Sequence, residues 1–407
     1  MTNLIPKVLV TLVVVEVILF IIYEIKYSTF SLSTASYYSY FSSPSQPHFI
    51  DEHGNGSHQK KPMAAPSHDF KLETVFNGDS RVFKTFFNST LHPPGVISTT
   101  VGGIGNQLFR YACSYALAKR KGWPVYINVE EGISIRMFQA SDRFFVLDKF
   151  NIPLDNIIRI GATFLNGSQI PISDEDLLYG GVNDSIASTG FILPGGYCQS
   201  EIFWKEYSQD IIKMFQVRTE SLNMPKIQRL LDEIRRTESV AVHVRRQDFI
   251  STNDGVYFHP TSFHRKAVPL LAKMLNMRTD GDGNRSSPVF FVFSDDIIHA
   301  ENKLKKFSGQ FRIVYVSARG GRGGTSSLED FFLMTMCKHV IFSNSTFGWW
   351  AAYLNGNKGK IVITSSFNPH HYKIKGRKTF HEKLDGTMYH KKEWVVIDPF
   401  SGGYYSQ

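Results

Sequence analysis

A regular alternation of short β-rich runs and helix-compatible stretches dominates the second half of the chain. The β-rich runs are 239–244, 288–293, 311–316, 339–342 and 360–364. The helix-compatible stretches are 262–277, whose bounds stay open because of Pro269, and 297–307, 328–337 and 347–355. This alternation predicts a parallel sheet with crossover helices, that is, a Rossmann-like domain. Ligands of such sheets bind beyond the carboxyl ends of the strands, so the residues that follow each strand are the first candidates for a site.

The first half of the chain shows the same pattern once. A strand candidate at 95–101 leads into the glycine turn Gly102-Gly-Ile-Gly-Asn-Gln, and residues 108–121 have apolar side chains at helical spacing. Gly122 is suited to end that helix. We therefore predict an α/β protein with two facing Rossmann-like domains, an N-terminal one at 95–235 and a C-terminal one at 236–407.

The N-terminus carries an apolar run that is nearly unbroken from Val8 to Ile22. We expect an uncleaved transmembrane signal anchor at 8–23 behind a cytoplasmic tail at 1–7, with a cleaved signal peptide as the alternative. Glu16 lies inside the run and makes insertion less favourable. Residues 24–94 are rich in Ser, Tyr, His and Pro, which predicts a flexible stem.

Asn-x-Ser/Thr sequons indicate that the body of the chain is lumenal. They stand at Asn55, Asn88, Asn166, Asn183, Asn284 and Asn344, and we expect glycosylation at the first five. Three cysteines allow at most one disulfide, with one thiol left over.

An arginine pair follows the strand 239–244, in the segment His243-Val-Arg245-Arg246-Gln-Asp248. Two arginines beyond a buried strand are unfavourable unless they meet an anion. Because neighbouring residues of a strand point to opposite faces, one arginine can reach a ligand while the other braces the loop, for instance through Asp248. A guanidinium suits phosphate because its planar fork donates two parallel hydrogen bonds. A structural Arg–Asp ion pair is the alternative, just as the net charge of +9 fits either an anionic ligand or a solvated basic face.

Polar residues also follow two other strands. Asp295 and Asp296 could bind a metal, act as a base or cap the next helix, and we expect at least one of them to be a cap. The run Ser343-Asn344-Ser345-Thr346 precedes a helix, where hydroxyls and free backbone N–H groups form an anion site; a plain N-cap is the alternative. Trp349 and Trp350 are expected in the core rather than as a sugar platform.

Three further patterns point away from other ligands. Leu108 stands where a dinucleotide fingerprint needs its third glycine, which argues against NAD and leaves Asn106 and Gln107 free to address another polar ligand. Asp174-Glu-Asp176 resembles an Asp-x-Asp metal motif but is more typical of an acidic helix start. The glycine-rich stretch 319–324 resembles an RNA-binding segment, yet in a lumenal protein it predicts a mobile loop, so no nucleic-acid partner is expected.

Taken in order over roughly 96–365, several segments resemble the galactoside α-1,2-fucosyltransferases. They are Gly102-Gly-Ile-Gly-Asn-Gln-Leu-Phe-Arg-Tyr-Ala, Gly196-Tyr-Cys-Gln-Ser-Glu, His243-Val-Arg-Arg-Gln-Asp, Phe293-Ser-Asp-Asp and Cys337-Lys-His-Val-Ile-Phe-Ser-Asn-Ser-Thr-Phe-Gly-Trp-Trp-Ala-Ala-Tyr-Leu-Asn355. The third segment is also similar to one in α-1,6- and protein O-fucosyltransferases. Cys198 departs from the tryptophan that is usual in the family, and Gly348 from a common serine. The first departure leaves the acceptor open.

The resemblance implies a GT-B-type fold, a GDP-fucose donor, inversion at the anomeric carbon and no required metal. It also implies transfer to the 2-hydroxyl of a terminal galactose in a glycan on a glycoprotein or glycolipid, and a type II Golgi membrane protein. Two alternatives remain. A Golgi sulfotransferase would need a lysine-containing phosphate loop, which Gly102–Leu108 lacks. A lumenal glycan-binding protein would have kept the fold without turnover. A homodimer is left open.

The resemblance also assigns roles to residues of this chain. Arg245 and Arg246 would hold the diphosphate, with His243 and Asp330 on the guanosine side and Ser345 and Thr346 closing on the phosphates. Further expected nucleotide-sugar contacts are Asp295, Ser343 and Asn344. The junction of donor and acceptor would be lined by Gly103, Gly105, Asn106 and Gln107. Candidates for the base that activates the acceptor are Asp248, Asp295 and Asp296.

Overall fold

A computed structural model describes the part of the chain that carries most of the predicted site. The described residues are 93–129, 145–158, 169–174, 177, 191–246, 262–277, 287–317, 325–343, 345–366, 389–397 and 404–406, all within one unit, Asp79–Gln407. The predicted anchor at 8–23, most of the stem, every sequon, Asp248, Asn344 and the stretch 319–324 lie outside them. None of the helices in the described ranges has both the length and the apolar character needed to cross a membrane.

The N-terminal lobe is built on a five-stranded parallel sheet with the order β3-β2-β1-β5-β4. Its strands are β1 (Val96–Thr99), β2 (Val125–Asn128), β3 (Ile157–Ile158), β4 (Gln169–Ile172) and β5 (Phe191–Pro194). Its helices are α1 (Ile104–Lys121) and α2 (Ser208–Met214), with 3-10 turns at Leu147–Lys149, Glu201–Phe203, Lys205–Tyr207 and Thr219–Ser221. All four residues of β1 are buried, as expected for the central strand of a parallel sheet.

The C-terminal lobe is built on a seven-stranded sheet with the order β12-β11-β10-β9-β6-β7-β8, parallel except for the last pair, β11 and β12. Its strands are β6 (Glu238–Val244), β7 (Pro288–Ser294), β8 (Arg312–Tyr315), β9 (His339–Phe342), β10 (Val362–Ser365), β11 (Val395–Ile397) and β12 (Tyr404–Ser406). The helices are α3 (Met224–Arg236), α4 (Ser262–Asn276), α5 (Ile297–Leu304), α6 (Ser327–Met336) and α7 (Thr346–Leu354), with a 3-10 turn at Lys305–Phe307.

The predicted elements of the C-terminal lobe are confirmed to within two residues at their strand ends and within three at their helix ends. Pro269 lies inside α4 without ending it, because Phe263, Ala267 and Leu271 pack that helix onto the sheet and outweigh the lost hydrogen bond. The helix α3 was not predicted, although Asn223 caps it by accepting from the Lys226 amide and a proline stands in its first turn.

In the N-terminal lobe, α1 begins at Ile104 rather than at the predicted Leu108. Gly103 takes the N-cap position in an extended conformation, so Gly105 and Asn106 belong to the first helical turn instead of a loop. At its other end Gly122 adopts the left-handed conformation (φ 66°) that the sequence predicted.

Aromatic side chains pack the two lobes together. Phe109 of α1 lies 4.8 Å and 5.0 Å, between ring centroids, from Trp349 and Trp350 of α7. Trp204 stacks on Trp350 at 5.5 Å, and Phe150 meets Phe331 at 5.8 Å. Both α7 tryptophans are fully buried, which confirms the core role expected for them. This packing holds the start of α1 next to the start of α7.

Candidate functional site

The two predicted arginines are ion-paired with the two aspartates that follow the neighbouring strand. Arg245 Nη1 lies 3.1 Å from Asp295 Oδ2, and Arg246 Nη1 lies 2.5 Å from Asp296 Oδ2. The backbone N–H of Arg246 also donates to Asp295 Oδ1 at 2.9 Å. The pairing follows from the sheet, since β6 and β7 are parallel neighbours and end at the same edge. The bracing partners seen here are therefore Asp295 and Asp296, whereas the sequence suggested Asp248.

Two nitrogen atoms at this edge are buried and have no hydrogen-bond partner among the described residues. They are Nε of Arg246 and Nδ1 of His243. An unsatisfied buried donor or acceptor is costly and calls for a missing partner. Burial, together with nearby Arg245 and His264, lowers the pKa of His243 to about 3, so its ring is neutral. The ring stacks on Phe347 at 5.2 Å, which ties the end of β6 to the first turn of α7.

The N-termini of α1 and α7 converge, and α7 begins next to the end of β6, the strand that precedes the arginine pair. A Cβ atom on Gly105 would come within 2.4 Å of the carbonyl carbon of Thr346. Helix N-termini carry unpaired N–H groups and partial positive charge, so two that adjoin each other favour a bound anion. Ser345 occupies the N-cap position of α7, yet its side chain does not cap the helix. The plain N-cap alternative therefore does not account for that hydroxyl.

Of the carboxylates at this edge, Asp296 caps a helix as expected. Its Oδ1 accepts from the backbone N–H of His299 at 3.0 Å, at the start of α5. Burial raises the pKa of Asp296, but the His299 amide and Arg246 outweigh that effect and lower it overall. A carboxylate held ionised in this way is a weak proton acceptor.

Asp330 is buried, and its carboxylate accepts hydrogen bonds from two hydroxyl groups of the protein. One oxygen accepts from Ser317 Oγ at 2.5 Å, and the other accepts from Thr325 Oγ1. Burial raises the pKa of Asp330 to about 7, although the two hydroxyls oppose the shift. Ser317 and Thr325 flank the glycine-rich stretch 319–324, so Asp330 fastens both ends of that segment. The role of Asp330 on the guanosine side stays a prediction.

Gln107 differs from its predicted role at the junction of donor and acceptor. Its side chain is fully buried, its Nε2 donates to the Gly102 carbonyl at 2.9 Å, and its Oε1 accepts from the Val146 amide at 3.1 Å. It therefore fixes the backbone around the start of α1 and does not line a cleft. Gly103 has open space where a Cβ would stand, and Asn106 is partly exposed.

The structure adds residues that the sequence did not assign. Cys113 of α1 and Cys198 form a disulfide with a Cα–Cα distance of 6.1 Å, and Cys337 is free and buried. Asp174 is buried rather than solvated, and its Oδ2 accepts from the Cys198 amide at 3.0 Å. Beyond Cys198, Gln199 Nε2 donates to Asn106 Oδ1 at 3.2 Å. The described part of the chain has no group of three His, Cys, Asp or Glu side chains arranged to hold a metal.

Comparisons with known proteins identify the family of the chain. The sequence profile of glycosyl transferase family 11 matches residues 193–397, about half of the chain. The chain is 30% identical to galactoside alpha-(1,2)-fucosyltransferase 2 of Gorilla gorilla gorilla, over 63% of this chain and 68% of the relative. It is 28% identical to an alpha-1,2-colitosyltransferase of Escherichia coli, over 66% of this chain and 90% of the relative.

Among solved structures, fucosyltransferase NodZ from Bradyrhizobium is 18% identical, with a TM-score of 0.40 over 63% of this chain and 91% of that chain. The family profile and the sequence relatives confirm the resemblance drawn from the motifs: the chain belongs to glycosyl transferase family 11.

Proposed function

We propose that this glycosyltransferase moves L-fucose from GDP-fucose to the 2-hydroxyl of a terminal galactose on a glycan, with inversion and without a metal. One observation carries the donor site. Arg246 Nε, in the pair that follows β6, is buried without a hydrogen-bond partner among the described residues, and the end of β6 contacts one of two converging helix N-termini. A diphosphate supplies the anion that this arrangement favours. The fucose specificity is drawn from the sequence relatives, several of which are named as galactoside α-1,2-fucosyltransferases.

The geometry suits a leaving group that gains negative charge. In the transfer, the acceptor oxygen forms a bond to the anomeric carbon of fucose while the bond from that carbon to the diphosphate oxygen breaks. The electron pair leaves with GDP, and the acceptor proton passes to a base or to water. In this proposal Arg245, Arg246 and the N–H groups at the start of α7 stabilise the departing charge. They are fixed before the reaction begins, so they need no rearrangement to do so.

Of the three candidates for the base that takes the proton of the acceptor hydroxyl, two are already engaged in other contacts. Asp296 is a poor candidate, because its carboxylate caps α5 and pairs with Arg246. Asp295 is engaged by Arg245 and by the Arg246 amide. Asp248 remains a candidate from the sequence. A transition state in which the bond to GDP is largely broken would need little help from a base.

The GT-B-type arrangement, the signal anchor at 8–23 and the Golgi lumen belong to the same proposal. The Cys113–Cys198 disulfide supports a lumenal body, since structural disulfides persist in oxidising compartments. The predicted sequons agree with that orientation. The domain bounds 95–235 and 236–407 also stay proposals; α3 leads directly into β6, the first strand of the C-terminal sheet.

The test is an acceptor array supplied with GDP-fucose and the full-length protein in detergent, followed by NMR of the product linkage. An α-1,2 linkage to a terminal galactose supports the proposal. In a parallel assay, preference for a colitose donor over GDP-fucose would favour the activity named for the Escherichia coli relative. GDP binding without transfer or hydrolysis would favour a glycan-binding protein. Membership of family 11 excludes the sulfotransferase alternative.

A further inference from the structure

The loop Gly196–Glu201, which follows β5, contacts the first turn of α1 through a pair of amides. Gln199 Nε2 donates to Asn106 Oδ1 at 3.2 Å, and both side chains are partly exposed. Asn106 directly follows Gly105, whose α-carbon lies against the backbone of Thr346. The amide pair therefore lies next to the proposed donor site and belongs to the N-terminal lobe.

Two contacts fix this loop just before Gln199. The disulfide ties Cys198 to Cys113, three turns into α1. The buried carboxylate of Asp174 accepts from the Cys198 amide at 3.0 Å. Cys198 itself has a φ of 49°, the left-handed conformation that residues other than glycine rarely adopt. Such a conformation persists only where its surroundings determine it, and it is often found at functional sites.

The loop is held equally firmly after Gln199. Ser200 Oγ accepts from the Ile202 amide at 3.3 Å and so caps the next turn. Glu201 reaches the C-terminal lobe, where it accepts from Tyr353 OH at 2.9 Å and from Lys391 Nζ at 3.3 Å. A loop fixed on both sides of one partly exposed amide holds that amide in one place.

We propose that Gln199 is a positioning residue for the acceptor sugar: held by the Cys113–Cys198 disulfide and Asp174, it sets the orientation of the Asn106 amide. Because Asn106 Oδ1 accepts from Gln199, its Nδ2, which lies next to the α-carbon of Gly102, is the part of the amide that can donate to a ligand. An amide donor held in one orientation suits the hydroxyl oxygens of a galactoside. This inference rests on the proposed function.

The partly exposed ring of Tyr197 belongs to the same surface. The guanidinium of Arg110 lies over one face of the ring, 4.6 Å from its centroid. Arg110 also donates to Thr99 Oγ1, which places it on the end of β1. Because Arg110 covers this face, a sugar that stacks on Tyr197 would have to use the opposite face of the ring.

The first experiment compares Gln199→Ala with the matched control Gln216→Ala in the full-length enzyme. Gln216 is exposed, and its amide donates to the Ile212 carbonyl of its own helical segment. With a terminal β-galactoside as acceptor, Gln199→Ala is expected to raise the acceptor KM about tenfold, because the released Asn106 amide would lose about one hydrogen bond to the sugar. The Kd for GDP and the slow hydrolysis of GDP-fucose by water are expected to stay unchanged. An unchanged acceptor KM, or an equal loss of donor hydrolysis, would overturn the proposal.

The second experiment removes the disulfide with Cys113→Ala and Cys198→Ala together. The acceptor KM should rise as in Gln199→Ala, and adding Gln199→Ala should raise it little further, because the residues act as one unit. Independent, multiplying effects would refute the coupling. If the cysteine variant does not fold, Asp174→Asn tests the same restraint. Failure of the wild-type enzyme to transfer fucose to any galactoside would instead refute the proposed function itself.

Discussion

Gly105, in the first turn of α1, lies directly against the backbone of Thr346 at the start of α7. A Cβ at position 105 would stand 2.4 Å from the Thr346 carbonyl carbon and 2.6 Å from the Phe347 nitrogen. Real side chains do not approach backbone atoms so closely, so only glycine lets the two helix starts meet. The contact therefore joins the N-terminal lobe to the helix start that borders the proposed diphosphate site.

Gly105→Ala should disrupt this contact. The added methyl group must push α1 away from α7 and disturb the packing of Phe109 on both tryptophans of α7. We expect a loss of about 1–3 kcal/mol in the free energy of unfolding, which is typical of overpacking, together with weaker GDP binding. Thermal unfolding and calorimetric titration with GDP measure both. Gly309→Ala is the matched control, since a Cβ there meets nothing within 4 Å. Equal behaviour of the two variants would contradict the prediction.

GDP binding should depend on the shape of the arginine side chains as well as on their charge. Arg245→Ala and Arg246→Ala are each expected to weaken GDP binding by about 2–5 kcal/mol and to abolish transfer. Their melting temperatures should move little, because both side chains are partly exposed, at 28% and 31%.

Arg246→Lys keeps the charge but removes Nε, so it too should lose GDP affinity. Arg312→Ala removes an exposed arginine paired with Glu233 and serves as the control. Calorimetric titration with GDP measures the affinity of each variant and of the wild type. An Arg246→Lys enzyme that binds GDP like the wild type would show that Nε makes no contact with the nucleotide.

Activity should survive chelation of divalent metals. In the proposed donor site, the guanidinium donors of Arg245 and Arg246 and the N–H groups at the start of α7 would stabilise the departing diphosphate in place of a metal. Initial transfer rates with and without EDTA are expected to agree. Loss of activity that manganese restores would return attention to the Asp174-Glu-Asp176 segment.

The C-terminal strands and the place of the arginine pair could be predicted because both depend on local sequence. Hydrophobic runs of strand length mark β6, β7 and β9, and parallel strands present their following residues at one edge. Asp295 was recognised for the same reason. Its pairing with Arg245 was not, because it depends on which strand lies beside β6.

The remaining features depend on contacts between distant parts of the chain. Three cysteines allow three pairings, and only the fold brings Cys113 to Cys198 across 85 residues. The buried role of Gln107 is equally invisible in sequence, since an amide at a helix start can face a ligand or the backbone beneath it. Glycine is required at position 105 because of its contact with Thr346, and that contact forms only when both lobes are folded.

Asp330 should make stability depend on pH near neutrality. Burial raises its pKa from 3.8 to about 7, so the folded protein keeps a proton that the unfolded chain loses between those values. The contribution of Asp330 to stability is therefore fully present below about pH 4, falls as the pH rises towards 7, and changes no further above it.

Asp330→Asn removes this titration, and the amide can still bond to the Ser317 and Thr325 hydroxyls. The free energy of unfolding of the variant, relative to the wild type, should rise by a few kcal/mol (~1.4 per unit of pKa shift, as an upper bound) between pH 4 and 7 and then level off. Denaturant unfolding at pH 4.5, 6 and 8 measures the difference, with Asp232→Asn at an exposed helix position as the control. A difference that is the same at all three pH values would mean that Asp330 is ionised throughout and that its two hydroxyl partners outweigh its burial.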